Sequence, residues 1–283
     1  AGVMKARRHE LMDLDHCPIL VPALAGAADI ARSLAVPFQA WGGQMDVRVT
    51  ATESGLDCDI RLSKAAEKLD LDARMDLADI ATDLDLARVT VFGDIIVERR
   101  PPVLSMGAGR VVPPPGGFLQ ATRAGEDALA ALVLDHAGNA RRIADLFCGV
   151  GPFALRLAAS ASVLAADADE AQIGALAQAV RYCQGLKPIT TEVRDLFRNP
   201  LQSEEIGRFG AILLDPPRAG ARDQVAQIAA SDAARVAYVS CNPASWARDA
   251  RTLVEAGFRL EKLRPVGQFR WSTHVELSSY FTR

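Results

Sequence analysis

The sequence predicts an α/β protein: a doubly wound, mostly parallel sheet with an antiparallel last strand, preceded by a small α+β unit. Three observations predict it. Short apolar runs at 143–147, 163–166, 189–193, 211–214 and 236–240 mostly have helical stretches between them, as parallel strands with crossover helices require. The last two runs, 258–265 and 275–281, follow one another without a helix, so the final strand is expected to run against its neighbours. Before residue 112 the pattern is instead strand pairs mixed with helical spacing. The expected division is a first domain at 1–112 and a second at 113–283.

In the first domain, 21–36 is Ala-rich and helical. Val47 and Val49 alternate with Asp46, Arg48 and Thr50, and Leu56, Cys58, Ile60 and Leu62 alternate with Asp57, Asp59 and Arg61. Two such runs around Ser54-Gly55 predict a hairpin with one buried face. Residues 64–84 return to helical spacing, and 89–91 and 95–97 flank Gly93-Asp94, whose leading glycine suits a type II′ turn. In the second domain, 122–136 is a helix closed by Gly138.

The 283 residues are 49% apolar and 24% charged, an ordinary globular composition. No apolar run approaches the ~18 residues that a membrane span needs, and no signal-peptide pattern opens the chain. Five cysteines (Cys17, Cys58, Cys148, Cys183, Cys241) are scattered, with no CxxC, so a reducing compartment is expected rather than a disulfide framework. A monomeric cytoplasmic protein without a membrane partner is therefore expected. A net charge of −3 argues against a whole-molecule grip on nucleic acid but leaves local basic patches open. The chain opens Ala1-Gly2-Val3 without an initiator methionine and is expected to be a fragment.

Ligands of doubly wound sheets bind beyond the carboxyl ends of the strands, and four motifs belong there. Asp145-Leu146-Phe147-Cys148-Gly149-Val150-Gly151 reads as strand, glycine loop and helix entry, with Asp167 ending the next strand. Glycines let a ligand approach the backbone, and a carboxylate at Asp167 can bind ribose hydroxyls. Gly149-x-Gly151-x-x-Ala154 fits a dinucleotide fingerprint equally well, so a nicotinamide-dependent dehydrogenase is the alternative, and a merely structural turn is the bland one.

Leu214-Asp215-Pro216-Pro217-Arg218 puts a carboxylate on a rigid wall after a strand. Asp/Asn-Pro-Pro-aromatic motifs mark methyltransferases acting on exocyclic amines, and Arg218 in place of the aromatic argues against that chemistry. Ser240-Cys241-Asn242-Pro243 sets a cysteine at a strand end close to a helix N-terminus, which favours the thiolate. Cys58, Cys148 and Cys183 are expected as small core residues. Glu276, between Val275 and Leu277, would on its local pattern alone be a solvated edge acid. Gly117-Phe118-Leu119-Gln120 leads into the first helix of the second domain.

Together, in this order, these motifs resemble the uracil-C5 RNA methyltransferase family that modifies ribosomal and transfer RNA. The resemblance runs from about Gly117 to Arg283, and Ser-Cys-Asn-Pro after Asp-Pro-Pro-Arg is its specific part. His16-Cys17-Pro18-Ile19-Leu20 also looks like the entry to that family's central RNA-binding domain. The family's N-terminal β-barrel and three upstream cysteines are not in this sequence, and the Asn common near Val180 is missing.

The resemblance implies a class I, Rossmann-like fold and S-adenosylmethionine as cofactor. It gives Cys241 as nucleophile and Glu276 as base, with Gln120, Phe147, Gly149, Asp167 and Asp215 at the cofactor and Asp195 near the adenine. Phe118 and Arg218 would border the uracil, and Arg248, Arg251 and Arg270 are candidate phosphate contacts. The implied partner is RNA, ribosomal first and transfer second. Similar proteins use a cysteine at the Cys17 position as fourth ligand of a [4Fe-4S] cluster. Such a cluster takes four thiolates, so Cys17 is expected as a free thiol here and as a ligand only in a longer form.

Overall fold

A computed structural model of the chain describes residues 2–4, 11–14, 17–41, 43–63 and 69–283. It divides into two units, residues 1–104 with 112–117 and residues 105–111 with 118–283. His16 and the start of the helical spacing at 64–68 lie outside the described residues.

In the first unit, β1 (Gly2–Met4) pairs antiparallel with β2 (Leu11–Asp13), and a 3-10 turn at Pro22–Leu24 precedes α1 (Ala27–Ala35). β3 (Met45–Thr52) and β4 (Gly55–Leu62) form the expected hairpin, α2 (Leu71–Asp83) follows, and β5 (Arg88–Val91) and β6 (Asp94–Glu98) complete a sheet ordered β3-β4-β5-β6. Leu34, Cys58, Ile60, Leu77, Leu86 and Val89 share its core.

Two expectations are corrected here. The β5–β6 turn is Phe92-Gly93, not Gly93-Asp94: Val91 pairs with Asp94, and both turn residues have positive φ (53° and 88°), which makes it type I′ rather than II′. The β3–β4 hairpin also buries more than its apolar face. Asp57 and Asp59 are buried because Arg88 donates Nε and Nη2 to Asp57 at 2.8 and 2.7 Å, and Thr90 Oγ1 donates to Asp59 at 2.6 Å. Removing one partner of such a buried pair costs about 3–5 kcal/mol, and period-two patterning cannot reveal it.

The chain then forms a hairpin of β7 (Leu104–Met106) and β8 (Gly109–Val111). From Ser105 onward this hairpin belongs to the second unit, against the helix at Glu170–Tyr182 and Leu155, whose Cδ1 lies 2.7 Å from where a Cβ on Gly109 would stand. Residues 112–117 return to the first unit, where Pro113 O accepts from Arg88 Nη2 at 3.0 Å. The chain thus crosses between the units three times, after residues 104, 111 and 117, where one boundary near 112 is expected from the sequence, and the proline run is held in the first unit by hydrogen bonding.

The second unit contains α3 (Arg123–Ala137), β9 (Arg142–Leu146), α4 (Ala154–Leu157), β10 (Ser162–Asp167), α5 (Glu170–Tyr182), β11 (Ile189–Val193), α6 (Ser203–Ile206), β12 (Ala211–Leu214), α7 (Arg222–Ala230), β13 (Arg235–Ser240), α8 (Pro243–Glu255), β14 (Arg259–Val266) and β15 (Glu276–Thr282). Side-chain caps start the helices: Thr122, Asp169 and Asn242 accept from the N–H groups of Gly125, Ala171 and Ala244. Gly138, at φ 55°, closes α3.

The sheet is ordered β11-β10-β9-β12-β13-β15-β14. Pairings from β11 to β13 are parallel, and β15 is antiparallel to both β13 and β14, as expected. From β9 the chain moves outward to β10 and β11, then returns to β12 on the other side of β9. This switch point opens a crevice at the carboxyl ends of the strands. Beneath it Leu146, Ile212, Leu214, Val236 and Tyr238 form the apolar core.

Candidate active site

The crevice holds a cavity of about 410 Å³ lined from successive strand ends: Phe147 and Gly149 after β9, Asp167 at the end of β10, Phe197 after β11, Asp215 to Arg218 after β12 and Cys241 after β13. Phe118 and Gln120, ahead of α3, close another side. Glu276 arrives from the opposite chain direction. Ser240 pairs with Leu277 in the antiparallel ladder, so Cys241 and Glu276 follow at the same edge of the sheet. That register explains why Glu276 is buried, 7% exposed, and not the solvated edge acid its local pattern suggests.

Burial holds the Glu276 carboxyl above its ordinary range, while the charge of His274 and a contact at 3.2 Å from its Nε2 to Glu276 Oε1 act the other way. The Cys241 thiol is also raised, first by burial, then by Glu276 and Asp215, with Arg218 opposing. Burial, and after it the two carboxylates, therefore work against the thiolate preference expected from the nearby helix N-terminus. Asp215 is pushed well above the usual range by burial and by Glu276, Asp145 and Asp167. Asp145, fully buried behind the glycine loop, is raised to about 8 by burial, with the Ala154 N–H acting the other way. Asp167, Asp215 and Glu276 thus line one cavity, with Asp145 buried behind them.

A hydrogen-bond chain fixes the far wall. Thr122 N–H donates to Gln268 Oε1 at 3.1 Å, Gln268 Nε2 to Gln120 Oε1 at 3.0 Å, and Gln120 Nε2 to Asp215 Oδ2 at 3.4 Å. Asn242 caps α8 with Oδ1 and donates Nδ2 to Arg218 O at 2.9 Å, joining the two loops that carry Cys241 and Asp215. Buried Asp249 accepts Tyr238 Oη and Ala221 N–H at 2.7 and 2.8 Å beneath them. None of Gln268, Asn242, Asp249 and His274 was singled out from the sequence as a site residue. Only Asn242 carried a usable signal, its N-cap position before Pro243.

Asp195 does not join the cavity lining. Its carboxylate accepts from Phe197 N–H and Arg198 N–H at 3.0 and 3.2 Å, and it is Leu196 and Phe197 that reach the cavity. Arg248 is not free for a phosphate either: it pairs with Asp249 at 2.7 Å and donates to Ala219 O at 3.0 Å. Arg251 and Arg270 are exposed. Cys58 and Cys148 are buried as expected, whereas Cys183 is half-buried and donates to Ala179 O at 3.3 Å. Cys17 is half-buried in a turn closed by Leu20 N–H. Among the described residues no group of three or more His, Cys, Asp or Glu is placed to hold a metal, and no helix is long and apolar enough to cross a membrane.

Residues 117–283 match the profile of the tRNA (uracil-5-)-methyltransferase family. The chain belongs to this family. An uncharacterized RNA methyltransferase of Brucella melitensis is 42% identical over 282 residues, which are 100% of this chain and 67% of that protein. One of Caulobacter vibrioides is 44% identical over 284 residues, 100% of this chain and 68% of the relative. The chain therefore spans about two thirds of the length of the curated relatives it matches. A 23S rRNA (uracil(1939)-C(5))-methyltransferase of Pseudomonas fluorescens is 37% identical over 171 residues, 59% of this chain and 37% of its own. The crystal structure of Pyrococcus abyssi tRNA (uracil-54, C5)-methyltransferase with S-adenosyl-L-homocysteine shares the fold: TM-score 0.75, 19% identity, 98% of this chain and 72% of that one. This is an enzyme family of S-adenosylmethionine-dependent RNA uracil-C5 methyltransferases with a class I fold, and the dehydrogenase alternative finds no support.

The residues of this family member fit an S-adenosyl group. At Gly149 the backbone has φ 55°, and an added Cβ would stand 3.1 Å from Gln172 Oε1, so the loop must stay bare. That oxygen is buried and has no hydrogen-bond partner among the described residues. Asp167 accepts from Gly149 N–H and Asp169 N–H at 2.9 and 3.0 Å and keeps lone pairs for hydroxyl groups. The rings of Phe147 and Phe197, 5.4 Å apart and tilted by 55°, offer an apolar wall to a planar base.

Proposed function

We propose that the protein methylates C5 of a uridine in 23S ribosomal RNA, with Cys241 as covalent nucleophile and Glu276 as base. The observation that carries this is the presence of both groups on one cavity, coupled through their charges, beside a nucleoside-sized pocket. A sulfur nucleophile alone would not need an acid at that edge, and an acid alone would not need the thiol. The ribosomal target is supported by the Pseudomonas fluorescens relative that acts on 23S rRNA.

Gln120, Phe147, Gly149, Asp167 and Asp215 would hold the cofactor, while Phe118 and Arg218, both exposed at the cavity rim, would face the uracil. When bound, S-adenosylmethionine supplies an electrophilic methyl on a sulfonium cation, a charge that suits the cluster of carboxylates. Cys241 as thiolate adds to C6 of the flipped-out uracil, forming an S–C6 bond and turning C4–C5 into an enolate. C5 then carries the new methyl. Glu276 removes the remaining C5 proton, and the electron pair of that bond re-forms C5=C6 and expels the thiolate.

RNA containing 5-fluorouridine tests this, because fluorine cannot leave as a proton and the adduct persists. A protein–RNA conjugate on a denaturing gel is expected from the parent chain and from Cys148→Ala, and none from Cys241→Ala. A conjugate formed by Cys241→Ala would refute the nucleophile. Methylation of transfer RNA but not of 23S transcript would move the substrate to the T-loop uridine.

A further inference from the structure

Between β14 and β15 the chain leaves the sheet for residues 267–275, and this loop is tied to the cavity wall at both ends. Near its start Gln268 bonds Thr122 and Gln120. Near its finish His274 bonds Glu276, donates its backbone N–H to Ser272 Oγ at 3.0 Å and lies against the ring of Phe269, 6.2 Å away. In between, Ser272 N–H reaches Phe269 O at 3.4 Å. That turn leaves Arg270 and Trp271 at its two central positions.

Trp271 breaks two rules at once. Its side chain is 82% exposed, although the hydrophobic effect draws an indole inward. Its backbone has φ 62°, a region that sterics reserve mainly for Gly and Asn. A residue held in such a conformation beside an active site calls for a functional reason. Arg270 beside it is exposed, and its guanidinium makes no ion pair or hydrogen bond among the described residues. Arg156, Arg194 and Arg248, by contrast, each pair with carboxylates of this unit.

The geometry points to Trp271 and Arg270 as a platform for single-stranded RNA: the indole stacks on an unpaired base next to the target uridine, and the guanidinium meets its phosphate. This rests on the reading that an RNA uridine is the substrate. A base that swings into a cavity strips its neighbours of a stacking partner, and an aromatic plane at the mouth replaces it. The net charge of −3 gives RNA no whole-molecule attraction, so local contacts, here an aromatic face with one guanidinium beside it, must carry the grip. The loop's bonds to Gln120 and Glu276 make the platform continuous with the site rather than a separate surface.

The test compares the full chain with Trp271→Ala, Trp271→Phe, Trp271→Gly and Arg270→Gln in binding and methylating unmethylated 23S transcript. Trp271→Ala is expected to weaken RNA affinity and raise KM by about 5- to 150-fold, the equivalent of one stacked base, with kcat at saturating RNA and S-adenosylhomocysteine affinity unchanged. Trp271→Phe should recover most of that loss. Trp271→Gly relaxes the positive φ, so it should keep or raise thermal stability while losing RNA affinity like the Ala variant, a combination that a structural role would not produce. Arg270→Gln should lower the salt dependence of binding by about one phosphate contact. Unchanged RNA affinity in Trp271→Ala, with the parent chain active, overturns the platform and leaves the proposed function standing. Loss of S-adenosylhomocysteine affinity in that variant would make the loop structural. Altered self-association without altered RNA affinity would make Trp271 a protein contact. A parent chain that neither binds nor methylates ribosomal or transfer RNA overturns both readings.

Discussion

His274 Nε2 stands 3.2 Å from Glu276 Oε1, two residues apart on the extended backbone that enters β15, where side chains i and i+2 share a face. Burial raises the carboxyl and His274 partly offsets this, so the pair tunes the pH at which Glu276 ionises. A base must be ionised to act, so single-turnover release of free 5-methyluridine product is expected to fall as pH drops through that raised value. His274→Ala removes the lowering influence and should move the acid limb to higher pH, costing more rate at about pH 6 than at about pH 8.5. A limb that does not move would leave His274 a bystander.

Glu276→Gln keeps the shape of the side chain and removes the base. If Glu276 acts only after methyl transfer, this variant should accumulate a conjugate of Cys241 with methylated RNA. Mass spectrometry of the denatured conjugate reads the added methyl directly. Free 5-methyluridine product at the parent rate would mean that Glu276 takes no proton.

The cysteines should differ in reactivity. Burial pushes Cys58 up to about 12 and raises Cys148 strongly, whereas Cys241 is only partly buried. Iodoacetamide labelling followed by peptide mapping should therefore find Cys241 modified before the other two. Glu276→Gln should shift the labelling profile of Cys241 to lower pH by removing a repelling charge, and Arg218→Ala should shift it to higher pH.

Asp145 links pH to stability. Its carboxyl titrates near 3.8 when free and at about 8 when buried in the fold, so the folded state holds a proton that the unfolded state releases. Stability from this group is fully present below the lower value and is lost as pH rises through the upper one. Urea unfolding of Asp145→Asn should therefore gain on the parent chain between about pH 5 and about pH 8.5. A constant difference across that range would mean that the carboxylate is solvated.

The parallel strands were legible because each is a short apolar run with punctuation, and Phe147, Asp167, Asp215 and Cys241 could be put at the crevice because each follows or ends such a run; Glu276 came only with the resemblance. What escaped was pairwise. Nothing at Asp57 announces Arg88, thirty-one residues on, and a carboxylate on an alternating strand looks solvated until its partner is known. The resemblance implies Asp195 near the adenine, and Arg248 is a candidate phosphate contact; the internal hydrogen bonds that each makes arise only in the fold. At Cys241 the helix N-terminus is visible along the chain, while the burial that raises the thiol and the nearness of Glu276 and Asp215 arise only through the fold.

Asn242 spends its two ends on different masters, capping α8 with its oxygen and holding the Arg218 carbonyl with its nitrogen. Asp would keep the first bond and forfeit the second; Ser would keep the first and fall short of the second. A displacement of either loop would pull on the other through this one side chain, so the Cys241 and Asp215 loops hold their positions together.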